Sequence, residues 1–141
     1  MNSKKIGVFG AGAIGQLIFS QLSDHISNHK LSNLFTVDLF SRQAQQQTTS
    51  FTDLLGQTRT QTLSILDAQS EHLDNLDVVI VCVKAYQVNQ LVSSILNRMK
   101  PDCHIILLHN GMGPHIAVSE LLQGYPQMGL SLATTSQGAL R

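Results

Sequence analysis

Apolar positions change their period several times along the chain, and each change marks an element. Lys4-Lys5-Ile6-Gly7-Val8-Phe9 has the length and β-branched content of a short buried strand. Ile14, Leu17, Ile18 and Leu22 follow at helical spacing, which predicts a helix from Ile14 to about Ser23. Residues 24–33 are polar and read as a loop or a frayed helix end, and Leu34 to Phe40 as a second strand. Gln43 to Ser50 is rich in Gln and Thr, shows no helical apolar stripe, and reads as surface. Phe51 to Leu55, then Gly56, then Thr58 to Leu66 predicts a β-hairpin around a glycine turn. Its second arm alternates Thr60, Thr62 and Ser64 with Gln61, Leu63 and Ile65, as a half-exposed strand does.

Residues 67–76 form a short connection with room for one helical turn. Asp77 to Val83 is apolar on both faces, the pattern of a central parallel strand. Val88, Leu91, Val92, Ile95 and Met99 mark a helix that stops before Pro101. His104 to Leu108 is another buried strand, a helix runs from Pro114 to about Leu122, and Met128 to Leu132 is a last short strand before the polar loop 134–139. Strand and helix alternate, with one hairpin intruding and no repeat or internal boundary. The prediction is a single α/β domain over residues 1–141, doubly wound, with a mostly parallel sheet and helices on both faces.

Composition narrows the partners. At 141 residues with 43% hydrophobic content the chain can bury a real core, while 13% charged residues and zero formal net charge leave no basic stripe for nucleic acid. No apolar run reaches membrane-spanning length. Lys4-Lys5 ahead of Ile6 to Ser20 imitates a secretory signal, but the glycine spacing, Gln16 and the lack of a small-x-small cleavage pattern argue against one. Cys82 and Cys103 form no C-x-x-C and read as reduced, buried thiols, so the expected location is cytoplasmic. His25 and His29 lie four apart as zinc ligands can. No glutamate accompanies them in a metalloprotease arrangement, and they read as solvated, with no metal expected.

The chemistry gathers around Gly10-Ala11-Gly12-Ala13-Ile14-Gly15, a G-x-G-x-x-G set between strand and helix. Gly10 allows a tight turn, Gly12 lets backbone approach a pyrophosphate, and Gly15 lets the helix pack near the strand. The free N–H groups and positive dipole end of that helix favour phosphate. The tip of the second strand then selects the cofactor. Asp38 suits a ribose 2′-hydroxyl, hence NAD, whereas Ser41-Arg42 suits a 2′-phosphate, hence NADP. Arg42 lies just past the strand end, where the ribose belongs, and NADP is the favoured reading. Lys84 leaves the central strand at its ligand-binding end. The Asn110 amide offers donor and acceptor between two flexible glycines, Gly111 and Gly113, while His109 reads as the last buried residue of its strand.

Together GAGAIGQL, the basic residue after the second strand, VIVCVKAYQV, LLHNGMG and the closing TTSQGA resemble, in order, the N-terminal half of the ketopantoate reductase (2-dehydropantoate 2-reductase) family. The glycine motif is widely shared; the K-A-[YW]-Q and H-N-G-M-G blocks are far more specific. The resemblance implies a Rossmann-like domain whose glycine loop, Gly10 to Gly15, cradles NADPH. It places the family's 2′-phosphate arginine on Arg42, its cofactor-side lysine on Lys84 with Gln87 close by, and a backbone contact on Ala139. The asparagine that touches nicotinamide ribose and substrate falls on Asn110. The implied reaction is reduction of the 2-keto acid ketopantoate to pantoate, toward pantothenate and coenzyme A. Two departures stand out: residues 24–33 are longer than the family pattern, and the family's all-helical second domain, with its general-acid lysine, is not in this chain. The chain reads as the cofactor-binding half of a longer protein, with no catalytic acid of its own and inactive alone. A reductase of another 2-keto or 3-hydroxy acid, or a non-catalytic NAD(P)-binding module, are the competing readings.

Overall fold

The alternation of strands and helices resolves into one seven-stranded sheet. The computed structural model describes residues 3–108 and 113–134. His109, Asn110 and Ala139, singled out above, lie outside the described residues.

Strand β1 (Lys4–Phe9) pairs in parallel with β2 (Phe35–Phe40) on one side and with β5 (Val78–Val81) on the other. Beyond β2 come β4 (Thr58–Leu66), parallel to it, and then β3 (Gln45–Thr52), antiparallel to β4. Beyond β5 come β6 (His104–Leu108) and β7 (Gly129–Ala133), both parallel. The order is therefore β3-β4-β2-β1-β5-β6-β7, parallel except for the β3–β4 hairpin.

Alternation along the strands divides the core between two faces. Val8, Leu39, Leu63 and Ile65 lie under helix α1 (Ala13–Asn28), which presents Ile18, Phe19 and Leu22 to them. Phe9, Phe40, Val79, Val81, Ile105 and Leu107 lie on the other face with α2 (Ala85–Ile95) and α3 (Pro114–Leu121), which contribute Val88, Val92, Ile95 and Val118. Phe9 and Phe40 stack with ring centroids 4.9 Å apart. Each large apolar side chain removed from water here contributes roughly 1.5–3 kcal/mol.

Three elements differ from the sequence reading. Helix α1 runs to Asn28 rather than about Ser23, because Asp24 is not a loop residue but ion-paired with Arg59 of β4. The helix stops at His29, and Lys30 turns the chain with φ +55°. Residues 45–50 are not a surface loop; they form most of β3. With no apolar alternation of their own, they are held as strand by a continuous register against β4. Hydroxyl pairs Thr48–Thr62 (3.3 Å), Ser50–Thr60 (3.2 Å) and Thr52–Thr58 (2.9 Å) line its outer face. The central strand β5 is shorter than read, ending at Val81. The hairpin turn does centre on Gly56 (φ +81°), braced by Asp53, whose carboxylate accepts from the Leu55 and Gln57 N–H groups at 2.9 Å each.

Two polar anchors set the opposite end of the sheet and the crossover. Asp77, its side chain 8% exposed, accepts from the Lys5 N–H (2.8 Å) and from Lys100 Nζ (2.8 Å), with Lys4 at 3.8 Å. Arg98 donates to Asp74 (2.6 Å), to the Ala68 carbonyl (2.7 Å) and to the Ser70 carbonyl (3.1 Å), fixing the connection that carries the 3-10 turn Glu71–Leu73.

Candidate functional site

From β1 the sheet grows one way through β2 and the other way through β5, so the strand order reverses there. Open α/β sheets bind ligands outside the carboxyl ends of the strands at such a point. A cleft of about 700 Å³ opens at that place. Phe9, Gly10, Ala11 and Gly12 leave β1 into it, Phe40, Ser41 and Arg42 leave β2, and Gln45 and Gln47 project from β3. Ala68, Leu73 and Val83 add to the wall, and α2 contributes Gln87, Gln90, Leu91, Ser94 and Ile95.

Each glycine of the loop is required for a different reason. Gly10 adopts φ +111°, and a Cβ there would stand 2.9 Å from the carbonyl carbon and oxygen of Cys82. A Cβ on Gly15 would fall on the Gly10 carbonyl oxygen, so the first turn of α1 packs directly on the loop. Gly12 is the reverse case. It caps α1 at φ −77°, and a Cβ built on it meets nothing within 4 Å. Its missing side chain leaves room in the cleft rather than in the core. The glycine cap makes no side-chain hydrogen bond to the first turn of α1, and the positive end of the helix dipole lies at the same opening. This combination fits the diphosphate of a dinucleotide.

At the tip of β2 the two candidates are separated. Asp38 shares the sheet face of Phe40 but sits two residues deeper, with its carboxylate 3.4 Å from His72 Nδ1, and it does not line the cleft. Arg42 is exposed, follows the strand end, and does line it. Lys84 is the exposed N-cap of α2, next to the cleft-lining Val83 rather than in the lining itself. Gln87 lines the cleft, and its Oε1 accepts from the Lys84 N–H at 3.3 Å. Cys82 flanks the loop, where burial pushes its thiol up to about 12, against thiolate formation. His25 and His29 are exposed with rings 4.2 Å apart. Among the described residues no group of three or more His, Cys, Asp or Glu is placed to hold a metal.

The sequence reading passed over Gln45, Gln47, Gln90, Ser94 and Gln16. The first two were hidden by the misread β3. The last was discernible as an amide one helical turn beyond Gly12, set among apolar neighbours; it is 1% exposed and hydrogen-bonded to the loop.

A family model described as "Ketopantoate reductase PanE/ApbA" matches residues 6–141. The chain belongs to the ketopantoate reductase family. Relatives named 2-dehydropantoate 2-reductase include one from Yersinia pestis, 33% identical over 109 residues, covering 77% of this chain and 33% of the relative. Another, from Vibrio cholerae serotype O1, is 32% identical over 136 residues, covering 96% of this chain and 40% of its own. This ketopantoate reductase domain thus spans between a third and two fifths of the length of those relatives. Among solved structures, a dimeric ketopantoate reductase from Staphylococcus aureus aligns with TM-score 0.67 at 22% identity, over 97% of this chain and 42% of that one. D-mandelate dehydrogenase, solved with NADH and anilino(oxo)acetate, aligns with TM-score 0.69 at 22% identity, over 95% and 41%. These likenesses establish the Rossmann-like fold. Among the described residues of this family member, no helix is long and apolar enough to cross a membrane.

Proposed function

We propose that this chain is the cofactor-binding half of a cytoplasmic, NADPH-dependent 2-dehydropantoate 2-reductase, which reduces ketopantoate to pantoate on the way to pantothenate and coenzyme A. One observation carries the cofactor choice: Arg42 lines the same cleft as the open face of Gly12, while Asp38 is turned to His72. A guanidinium is a fitting partner for a 2′-phosphate, and a carboxylate in its place would repel one.

Bound NADPH supplies the hydride. The backbone of Gly10 to Gly15 holds the diphosphate, Arg42 the 2′-phosphate, and Gln87 with Lys84 the stretch between α2 and the glycine loop. The family likeness adds Asn110, toward the nicotinamide ribose and the 2-keto acid, and a backbone contact at Ala139. These residues bind and orient, which converts a bimolecular encounter into a positioned one. A keto oxygen gains negative charge as it is reduced, so a donor must stand beside it. Arg42 is the one cation among the described cleft residues, and it belongs to the adenosine end. The acid is therefore assigned to the helical second domain that family members carry.

Calorimetric titration of the chain with NADPH and NADH tests the reading. Tighter binding of NADPH is the expected result. Equal affinity for the two would return Asp38 to the cofactor site, and binding of neither would sink the proposal.

A further inference from the structure

Gln16 lies one turn into α1 and is 1% exposed, yet it is neither apolar nor part of the cleft wall. A primary amide is costly to bury unless its donors and acceptor are used. Here both ends are engaged, and by different parts of the molecule. Nε2 donates to the Ala11 carbonyl in the glycine loop at 2.7 Å, and Oε1 accepts from Thr49 Oγ1 on β3 at 2.8 Å. One turn further along α1, the fully buried Ser20 continues the seam. Its hydroxyl donates to Gln61 Oε1 (2.6 Å) and accepts from an Arg59 guanidinium N–H (2.7 Å), and Arg59 reaches on to Asp24.

We infer that Gln16 is a positioning residue: it fixes the Ala11 peptide of the phosphate-binding loop and braces that loop on the β3–β4 hairpin. This rests on the dinucleotide reading of the cleft. An Ala11 carbonyl held by an amide donor does not swing toward the diphosphate, where its lone pairs would repel the anion. The brace matters at the other end because β4 joins the sheet through only two register pairs, Leu39 with Ile65 and Phe40 with Leu66. Gln45 and Gln47 line the cleft four and two residues before Thr49 on the same strand face, so the tie that holds the loop also holds that wall.

The test uses Gln16→Met, which keeps the shape without the amide, Thr49→Val, which removes the hydroxyl, and Thr49→Ser, which restores it. Each variant is titrated with NADPH and with NADH, and hydrogen exchange is followed over residues 45–52. Gln16→Met is expected to bind both dinucleotides roughly tenfold more weakly, because the diphosphate is common to both. Thr49→Val is expected to speed exchange in β3 and weaken NADPH binding severalfold, with Thr49→Ser close to the unaltered chain. If Gln16→Met loses its folded circular dichroism, the comparison of Thr49→Val with Thr49→Ser decides. Unaltered affinity and exchange in Gln16→Met, or no difference between the two Thr49 variants, would overturn the inference while leaving the cofactor reading intact. Failure of the unaltered chain to bind either dinucleotide would bring down both.

Discussion

The carboxylate of Asp38 rests 3.4 Å from Nδ1 of His72, two residues short of the tip of β2. The acidic residue that would otherwise argue for NADH is thereby occupied with the 3-10 turn, and the tip belongs to Ser41 and Arg42. Arg42→Ala is expected to weaken NADPH binding roughly ten- to hundredfold, the ~1.5–3 kcal/mol of a lost charged hydrogen bond, and to spare NADH. Asp38→Asn should leave the preference unchanged. Calorimetry on both variants checks this; a loss of NADH affinity in Asp38→Asn would reverse the assignment.

Gly12 and Gly15 should fail in opposite ways. A Cβ on cleft-lining Gly12 meets no atom within 4 Å, so Gly12→Val is expected to keep its circular dichroism and lose dinucleotide binding. A side chain at Gly15 strikes the Gly10 carbonyl, so Gly15→Val lowers the melting temperature before any ligand is added. Melting curves and cofactor titrations on the same samples separate the two. Retained binding in Gly12→Val would mean that the phosphates lie elsewhere.

Acid should act through Asp77. Burial pushes its carboxyl up, but the hydrogen bonds from Lys100 and the Lys5 N–H and the charges of Lys100 and Lys4 outweigh this, holding it below its ordinary 3.8. A carboxyl lowered on folding stabilises fully above its unfolded value, and that contribution is lost as pH falls through the folded one. Asp77→Asn should therefore melt well below the unaltered chain near about pH 7, and the gap should narrow as pH approaches about 3. A gap that stays constant across this range would show that Asp77 acts by shape alone.

Turnover is expected to need more than this chain. With NADPH and ketopantoate the chain alone should show essentially no loss of cofactor absorbance, and joining it to the helical domain of a full-length family member should restore it. Asn110→Ala should weaken cofactor binding, by about 1–3 kcal/mol if its partners are then left buried and unpaired. Turnover by the chain alone at the rate of the joined protein would place the acid here and make Lys84 or His109 the residue to examine.

Elements whose local pattern agrees with their final packing were readable from sequence. β1, β4 and β6 have the bounds that the spacing of Val8 and Phe9, Leu63 and Ile65, and Ile105 and Leu107 predicts. The glycine loop was readable because strand, turn and helix surround it. β3 was not, since Gln45 to Ser50 carries no apolar alternation and owes its strand conformation to its register against β4. The end of α1 was missed for a related reason: Asp24 looks like a loop residue until Arg59, 35 positions later in the sequence, arrives to pair with it. In the site, Gly12 and Arg42 could be named from local context. Gln16 showed only as an amide among apolar neighbours, and the β3 amides did not show at all, because the hairpin sets their place in the cleft.

The first strand of this chain is also the middle one of its sheet. β1 holds the fourth place of seven; β2 adds to one edge, the β3–β4 hairpin follows it as a ready-made unit, and β5, β6 and β7 add in turn to the other edge. No strand has to be threaded between two that are already paired, so the sheet can grow outward in the order in which the chain leaves the ribosome. Every described residue that lines the cleft lies between Phe9 and Ile95. The described lining of the cleft is thus complete in sequence before β6, so a nascent chain that has yet to form β6, α3 and β7 already contains that part of its wall.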